Sequence, residues 1–248
     1  MEVKTIIPAY NCEQWIARCI ESTQGDVIVI DDCSTDRTWD IICSYNIEKI
    51  RNPIRIGSGL ANIIKGIDHI SDDFDDIIIT LDGDDYLTPD AYSEVEKAYM
   101  AWAWMTYGSF EPLSGKFKNT CQPFDNIMTP CEAGYLVKTA VTPETYRQSG
   151  LWVTSHLRTF KRWLFDLILD EDLRDEDGEY FKVAWDMAFM YPMIVMAGNR
   201  VKYIDKIIYK YNDLNPMCDG KINTQEQVRI GKMIQAKEPY ARLDGHIF

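Results

Sequence analysis

Three short polar segments, each set directly after an apolar run, could carry chemistry in this sequence. Pro8-Ala9-Tyr10-Asn11 closes a run that begins at Val3, Asp31-Asp32 follows Val27–Ile30, and Asp82-Gly83-Asp84-Asp85 follows Ile77–Leu81. Carboxylates crowded together repel one another unless a cation sits among them. Hard divalent cations take oxygen ligands, and Mg2+ is typically held by one or two carboxylates together with substrate phosphates. A cation at such a cluster would act as a Lewis acid, neutralising a departing diphosphate. Gly83 lets the chain turn tightly there with no side chain between cluster and substrate. Acidic residues after strands also serve as helix caps and solvated turns, and Asp36 and Asp90 are read in that plainer way.

The elements that must position these segments are legible in the hydrophobic pattern. Val3–Pro8, Val27–Ile30 and Ile77–Leu81 read as buried strands. Cys12–Glu21 has Trp15, Ile16, Cys19 and Ile20 on one helical face, and a short helix carries Trp39, Ile42 and Cys43. In Ser58–Ile70, Leu60, Ile63, Ile64 and Ile67 fall at amphipathic spacing. Thr88-Pro89 reads as an N-cap and first-turn proline. Alternating strands and helices imply an α/β fold with a mostly parallel sheet covered on both faces. Ligands bind such sheets beyond the carboxyl ends of the strands, so the three polar segments should meet at one edge.

After Met100 the periodicity weakens. Asp186–Ala197 reads as a helix stopped by Gly198, and its methionines at 187, 190, 193 and 196 read as core packing. Val201–Ile204 and Ile207–Tyr211 read as two strands, and Thr224 with Gln227 reads as a capping box for a last helix. The acidic run Asp170–Glu179 reads as a solvated loop.

Composition narrows the function classes. The chain has 248 residues and 46% hydrophobic content, enough for one sizeable core and against global disorder. Its 39 acidic and 26 basic residues give a net charge of −13, which argues against binding nucleic acid or anionic membrane. The seven cysteines are odd in number and scattered without a CxxC pair. They read as reduced thiols, and with no leader-like start and no spanning segment the expectation is a soluble, cytoplasmic protein.

Taken in order, IIPAYN, VIVIDDCSTDRT and IIITLDGDDYLTPD strongly resemble the nucleotide-binding half of glycosyltransferase family 2, across about residues 3–100. The resemblance implies a single GT-A domain, with residues 1–100 binding a nucleotide and 101–248 shaping an acceptor site. It implies that Pro8, Ala9 and Tyr10 line the nucleobase pocket, with Asn11 beside them. Asp31 or Asp32 would accept a hydrogen bond from base or ribose. Asp82-Gly83-Asp84 resembles the DXD motif: Asp82 would touch ribose or metal, Asp84 would be the main ligand of Mn2+ or Mg2+, and Asp85 would hold a metal-bound water or orient the sugar.

The second half resembles the family more loosely. Ser155–Lys161 is similar to a segment near the donor sugar and diphosphate, which implicates His156, Arg158 and Lys161; a lone histidine such as His156 is also commonly a core residue. Trp185-Asp186 is similar to the acidic motif that supplies the general base, although Trp185 stands where many relatives have Glu. Asp186 would take the proton from an acceptor hydroxyl, itself a poor nucleophile at neutral pH; a helix-start carboxylate is the structural alternative. Ala61 stands where many relatives have an arginine, leaving Arg55, Lys65 or Arg158 to make that donor contact. The implied reaction moves a hexose-like sugar from a nucleoside diphosphate, UDP-type favoured, to a hydroxyl with inversion, in glycan or polysaccharide synthesis. A nucleotide-sugar-binding protein without transferase activity is the alternative.

Overall fold

Strands β1 (Val3–Ala9), β2 (Asp26–Asp31) and β4 (Ile77–Thr80) are apolar on both faces, and Ile6, Ile7, Ile28, Val29, Ile78 and Ile79 are all fully buried. Such strands need cover on both sides. On one face lies α3 (Gly59–Ile70), whose Leu60, Ile63 and Ile67 join Ile6, Ile28 and Ile78 in one core. On the other lie α1 (Ile16–Glu21), α2 (Thr38–Cys43) and α4 (Ala91–Met100), packed through Ile16, Cys19, Ile42 and Val95 against Ile7, Val29 and Ile79. Gly66 permits the close approach of α3 to β1, since a Cβ there would stand 2.5 Å from Ile6 Cγ2. The computed structural model describes residues 2–70, 73–116, 121–132, 134–217 and 224–243.

The remaining elements are β3 (Glu48–Arg51), β5 (Tyr86–Leu87), β6 (Met105–Pro112), the hairpin β7 (Met128–Pro130) and β8 (Leu136–Lys138), β9 (Arg158–Lys161), α5 (Arg162–Asp166), α6 (Trp185–Ala197), β10 (Val201–Tyr211) and α7 (Thr224–Ala236). Among the described residues, eight strands form one mostly parallel sheet in the order β3-β2-β1-β4-β9-β6-β10-β5. β3, β2, β1 and β4 run parallel, as do β6 and β10, while β9 lies antiparallel between β4 and β6. β9 therefore splices strands from the two halves of the sequence into one sheet.

Several local expectations change. β3, β6 and β9 carry charged or small polar residues that mask an apolar run, and β5, two residues long, is too short to show one. The expected pair of C-terminal strands is one strand, β10, with a register shift between Ile204 and Tyr209 where Asp205, Lys206 and Ile207 are exposed. Thr88 does not cap α4: the turn closes through Ala91 N donating to Thr88 O, and the Thr88 hydroxyl is buried without a partner among the described residues. α7 is described from Thr224 onward, and the residues just before it lie outside the described residues. Within Asp170–Glu179, Asp170–Leu173 forms a short 3-10 turn that buries Leu173. Met190, Met193 and Met196 are buried in the core and Met187 packs against it.

Among the described residues no helix is long and apolar enough to cross a membrane. Cys12, Cys19, Cys33, Cys43, Cys121 and Cys131 are thiols, and Cys218 lies outside the described residues.

Candidate functional site

The carboxyl ends of β1 and β2 are built into one rigid rim. Asp32 N donates to Ala9 O at 2.8 Å, and Asn11 Oδ1 accepts from Thr35 N at 2.8 Å. Asn11, at φ 47°, thus ties the loop after β1 to the loop after β2. Asp32 is engaged within the fold: Oδ1 accepts from Asn52 Nδ2 at 2.8 Å and Ile56 N at 2.9 Å, and Oδ2 from Gly57 N at 2.7 Å. Asp31 differs. Its Oδ2 accepts from Ser34 N and pairs with Arg51, both at 3.2 Å, while its buried Oδ1 has no hydrogen-bond partner among the described residues. A buried oxygen left unpaired costs about 1–3 kcal/mol, so Asp31 Oδ1 is poised to accept a donor from a ligand. Tyr10, half-buried beside this rim, has the Arg55 guanidinium 3.9 Å from its ring centroid.

The end of β4 approaches this rim because Gly83 has no side chain; a Cβ would lie 2.9 Å from Pro8 O. Asp85 is buried, with Oδ2 accepting from Tyr209 Oη at 2.5 Å and Oδ1 from Asn212 N at 2.6 Å. It fastens the acidic turn to the end of β10, and burial together with Asp84 and Asp82 raises its pKa well above the ordinary value. Asp84 Oδ2 accepts from Asn215 Nδ2 at 2.7 Å. Asp82 remains partly exposed at 26% and receives Arg158 Nη2 at 3.3 Å.

His156 and Arg158 reach the same place from the start of β9. Antiparallel pairing sets Arg158 opposite Thr80, at the carboxyl end of β4. His156 stacks on Tyr209 with centroids 4.3 Å apart, and Phe110 meets it edge-on. Burial and the neighbouring Arg158 hold its pKa well below the usual histidine value, so the ring is neutral. Its Nδ1 is buried without a hydrogen-bond partner among the described residues.

These atoms suit a divalent cation. Asp82, Asp85 and His156 each offer one ligand atom, all within 4.8 Å of one another. A neutral imidazole is the metal-binding form of histidine. Two carboxylates with one imidazole form a donor set that admits Mn2+ more readily than Mg2+, which prefers oxygen alone. Asp84, on the adjacent position of the turn, directs one oxygen to Asn215 and stands outside this trio.

Asp186 enters from α6. Ala184 adopts a left-handed φ of 50° just before the helix, and Asp186 lies in the first turn, 22% exposed. Its Oδ2 accepts from Arg158 Nη1 at 3.2 Å and its Oδ1 from Met187 N at 3.0 Å. Burial raises its pKa, with Arg158 opposing. Arg158, 2% exposed, keeps its charge because Asp82 and Asp186 outweigh the desolvation that opposes it. Trp185 packs its indole against Gly59, where a Cβ would stand 3.0 Å away, and lies 5.3 Å from the Arg158 guanidinium.

The structure thus brings Asp82, Asp85, His156, Arg158 and Asp186 together, with the rim of Pro8, Ala9, Tyr10 and Asp31 alongside. Lys161 must be corrected. It pairs with Ile77 at the opposite end of β4, and its Nζ donates to Asp75 O and Asp75 Oδ1, both at 2.7 Å. At about 3.3 Å of rise per residue it sits roughly 10 Å along the strand from Arg158 and cannot serve the site. Asn11 and Asp32 are expected ligand contacts that the fold employs as fasteners, while Asp85 both fastens the turn and offers an atom to the trio. Tyr209, Asn212 and Asn215 join the site without any signal in the sequence; their contacts span more than 120 residues, and no local spacing announces them.

Residues 5–119 match the family model described as glycosyl transferase family 2. Over 97 residues the chain is 35% identical to the chondroitin synthase of Escherichia coli, a match covering 36% of this chain and 14% of that enzyme. The crystal structure of Staphylococcus aureus TarS 1–349 in complex with UDP-GlcNAc aligns with a TM-score of 0.62 at 15% identity, covering 94% of this chain and 65% of that one. The mannosyltransferase PcManGT from Pyrobaculum calidifontis, in complex with GDP-Man and Mn2+, aligns with a TM-score of 0.59 at 15% identity, covering 96% and 65%. The chain therefore spans a small part of its curated relative and 65% of each of these solved chains, whose fold is GT-A. The family model, over residues 5–119, runs through the same three strand ends that the sheet gathers into the site, and through that segment the chain is similar to glycosyl transferase family 2.

Proposed function

We propose that this chain is a metal-dependent glycosyltransferase, moving a sugar from a nucleoside diphosphate donor, UDP-type favoured, to an acceptor hydroxyl with inversion. The observation that carries the reading is the Asp82–Arg158–Asp186 bridge, which sets a carboxylate suited to proton transfer one guanidinium away from the acidic turn. The nucleobase lies on the rim of Pro8, Ala9 and Tyr10, with Asp31 Oδ1 accepting one of its N–H groups. A divalent ion, Mn2+ or Mg2+, held by Asp82, Asp85 and His156 with Asp84 adjacent, would offset the charge on the departing diphosphate.

In the transfer, the acceptor oxygen attacks the anomeric carbon from the side opposite the diphosphate. The C–O bond to the diphosphate breaks, its electron pair leaves on the diphosphate oxygen, and the hydroxyl proton passes to Asp186. Arg158 holds the Asp186 carboxylate in place through its Nη1. Residues 1–100 bind the donor and 101–248 shape the acceptor side, and both serve one domain.

Relatives and neighbours named for UDP-GlcNAc and GDP-Man donors support the nucleotide-sugar class. The test is a panel of nucleotide sugars assayed with Mn2+ for thermal protection and for donor hydrolysis. One donor should raise the melting temperature, because a ligand that binds only the native state stabilises it. If no nucleoside diphosphate or its sugar protects the protein, the proposal fails. Protection by a donor that is never hydrolysed or transferred would leave a binding protein instead.

A further inference from the structure

The resemblance leaves three cations, Arg55, Lys65 and Arg158, to make the donor contact that the methyl group of Ala61 cannot make. Lys65 is committed to Asn52, its Nζ donating to Oδ1 at 2.7 Å. Arg158 is committed to Asp82 and Asp186. Arg55 remains. Its side chain is exposed at the rim of the site, and its guanidinium carbon lies 3.9 Å from the Tyr10 ring centroid.

The backbone that carries Arg55 is fixed on both sides. Asn52 N donates to Asp31 O at 2.9 Å, and Ile56 N and Gly57 N donate to the Asp32 carboxylate at 2.9 and 2.7 Å. A flexible arm therefore stands on a rigid base. Tyr10 follows Ala9, which pairs with Asp31 across β1 and β2, so the ring and the unpartnered Asp31 Oδ1 share one end of the sheet. A planar, weakly hydrated guanidinium stacks on aromatic faces, and nucleobases stack on both kinds of surface.

We infer that Arg55 and Tyr10 form a two-sided clamp that takes the donor's nucleobase between guanidinium and phenol ring. The inference rests on the nucleotide-sugar reading given above. In the ligand-free state the two halves of the clamp close on each other, and the arm opens to admit the base. Asp31 Oδ1 then reads an N–H on the base edge, while Arg55 adds affinity through the plane of the base and not through the phosphates.

Calorimetry on the full chain with Mn2+ tests this, using UDP, GDP and, as a probe without a base, pyrophosphate. Arg55→Ala should weaken the better-bound nucleotide about tenfold, the scale of one stacked cation–aromatic contact, and leave pyrophosphate unchanged. Arg55→Lys keeps the charge but loses the plane, and should restore little of that affinity. Unchanged or tighter nucleotide binding in Arg55→Ala would overturn the clamp, since the arm would then only cover the pocket. An equal weakening for pyrophosphate, or full recovery in Arg55→Lys, would also overturn it by making Arg55 a phosphate contact. If the wild-type protein binds neither UDP nor GDP, the nucleotide-sugar reading falls and takes the clamp with it. Melting temperatures of both variants, expected to match the wild type at this exposed position, exclude a folding defect as the cause.

Discussion

Asp82 and Asp186, more than a hundred residues apart in sequence, share the guanidinium of Arg158. Nη2 reaches Asp82 Oδ2 at 3.3 Å and Nη1 reaches Asp186 Oδ2 at 3.2 Å. The arginine is 2% exposed and the two carboxylates 26% and 22%, so solvent screens this bridge only partly. Removing the cation leaves two partly buried carboxylates facing each other. Breaking such a bridge by deleting one partner costs about 3–5 kcal/mol when fully buried, and about 2–3 kcal/mol is expected here after allowing for the exposed carboxylates. Urea unfolding of Arg158→Ala in chelator should show that destabilisation. A change under about 0.5 kcal/mol, typical of a surface pair, would mean the bridge contributes nothing measurable.

The nucleobase rim gives a second prediction. Tyr10 supplies its largest apolar surface, and Tyr10→Ala should weaken nucleoside diphosphate binding by about 1–2 kcal/mol as the aromatic packing is removed. Calorimetry with UDP and GDP measures it. Equal affinities in mutant and wild type would move the base elsewhere.

Which parts of the site could be read from the sequence follows from how each strand is buried. β1, β2 and β4 bury both faces, so their apolar runs stand out and their polar ends point to the ligand edge. β9 reads Arg-Thr-Phe-Lys, all four residues buried, and its two cations satisfied by distant acids hide a strand in what resembles a polar loop. The same antiparallel strand explains why Arg158 reaches the site and Lys161 does not: residues three apart in one motif lie at opposite ends of the sheet. Asp31 and Asp32 are equivalent in sequence, and only the loop at 52–57, folding back onto Asp32, distinguishes the engaged carboxylate from the open one.

Metal binding is tested at His156. Its neutral ring lies among Tyr209, Tyr211 and Phe110, so His156→Phe preserves the aromatic packing while removing the orphaned Nδ1. The variant should fold normally and bind Mn2+ at least tenfold more weakly, on the order of the effect seen when a metal's immediate surroundings are disturbed. Asp84→Asn removes a charge beside the trio and should lower Mn2+- or Mg2+-dependent donor turnover with the fold intact. Titration calorimetry with Mn2+ reads the first and a turnover assay the second. Full activity in excess chelator would remove the metal from the mechanism.

The last prediction concerns the proton. A general base works only when deprotonated, so transfer by Asp186 is lost as pH falls through its pKa. Burial raises that pKa above the ordinary aspartate value, while Arg158 draws it back down. The acid limb of the kcat profile should therefore lie at higher pH than a solvent-exposed aspartate would give. Asp186→Asn keeps the size of the side chain and leaves an oxygen to accept from Arg158, but it has no site for the proton. Its kcat should fall about 10²–10⁴-fold, and what activity remains should lose the acid limb. Donor affinity, measured separately by calorimetry, should stay near the wild-type value, because the rim at Tyr10 and the acidic turn are untouched. Wild-type turnover in the mutant would leave Asp186 as an anchor for Arg158 and α6 alone. A parallel fall in donor affinity and rate would instead place Asp186 among the binding contacts, and the proton would have to leave by another carboxylate.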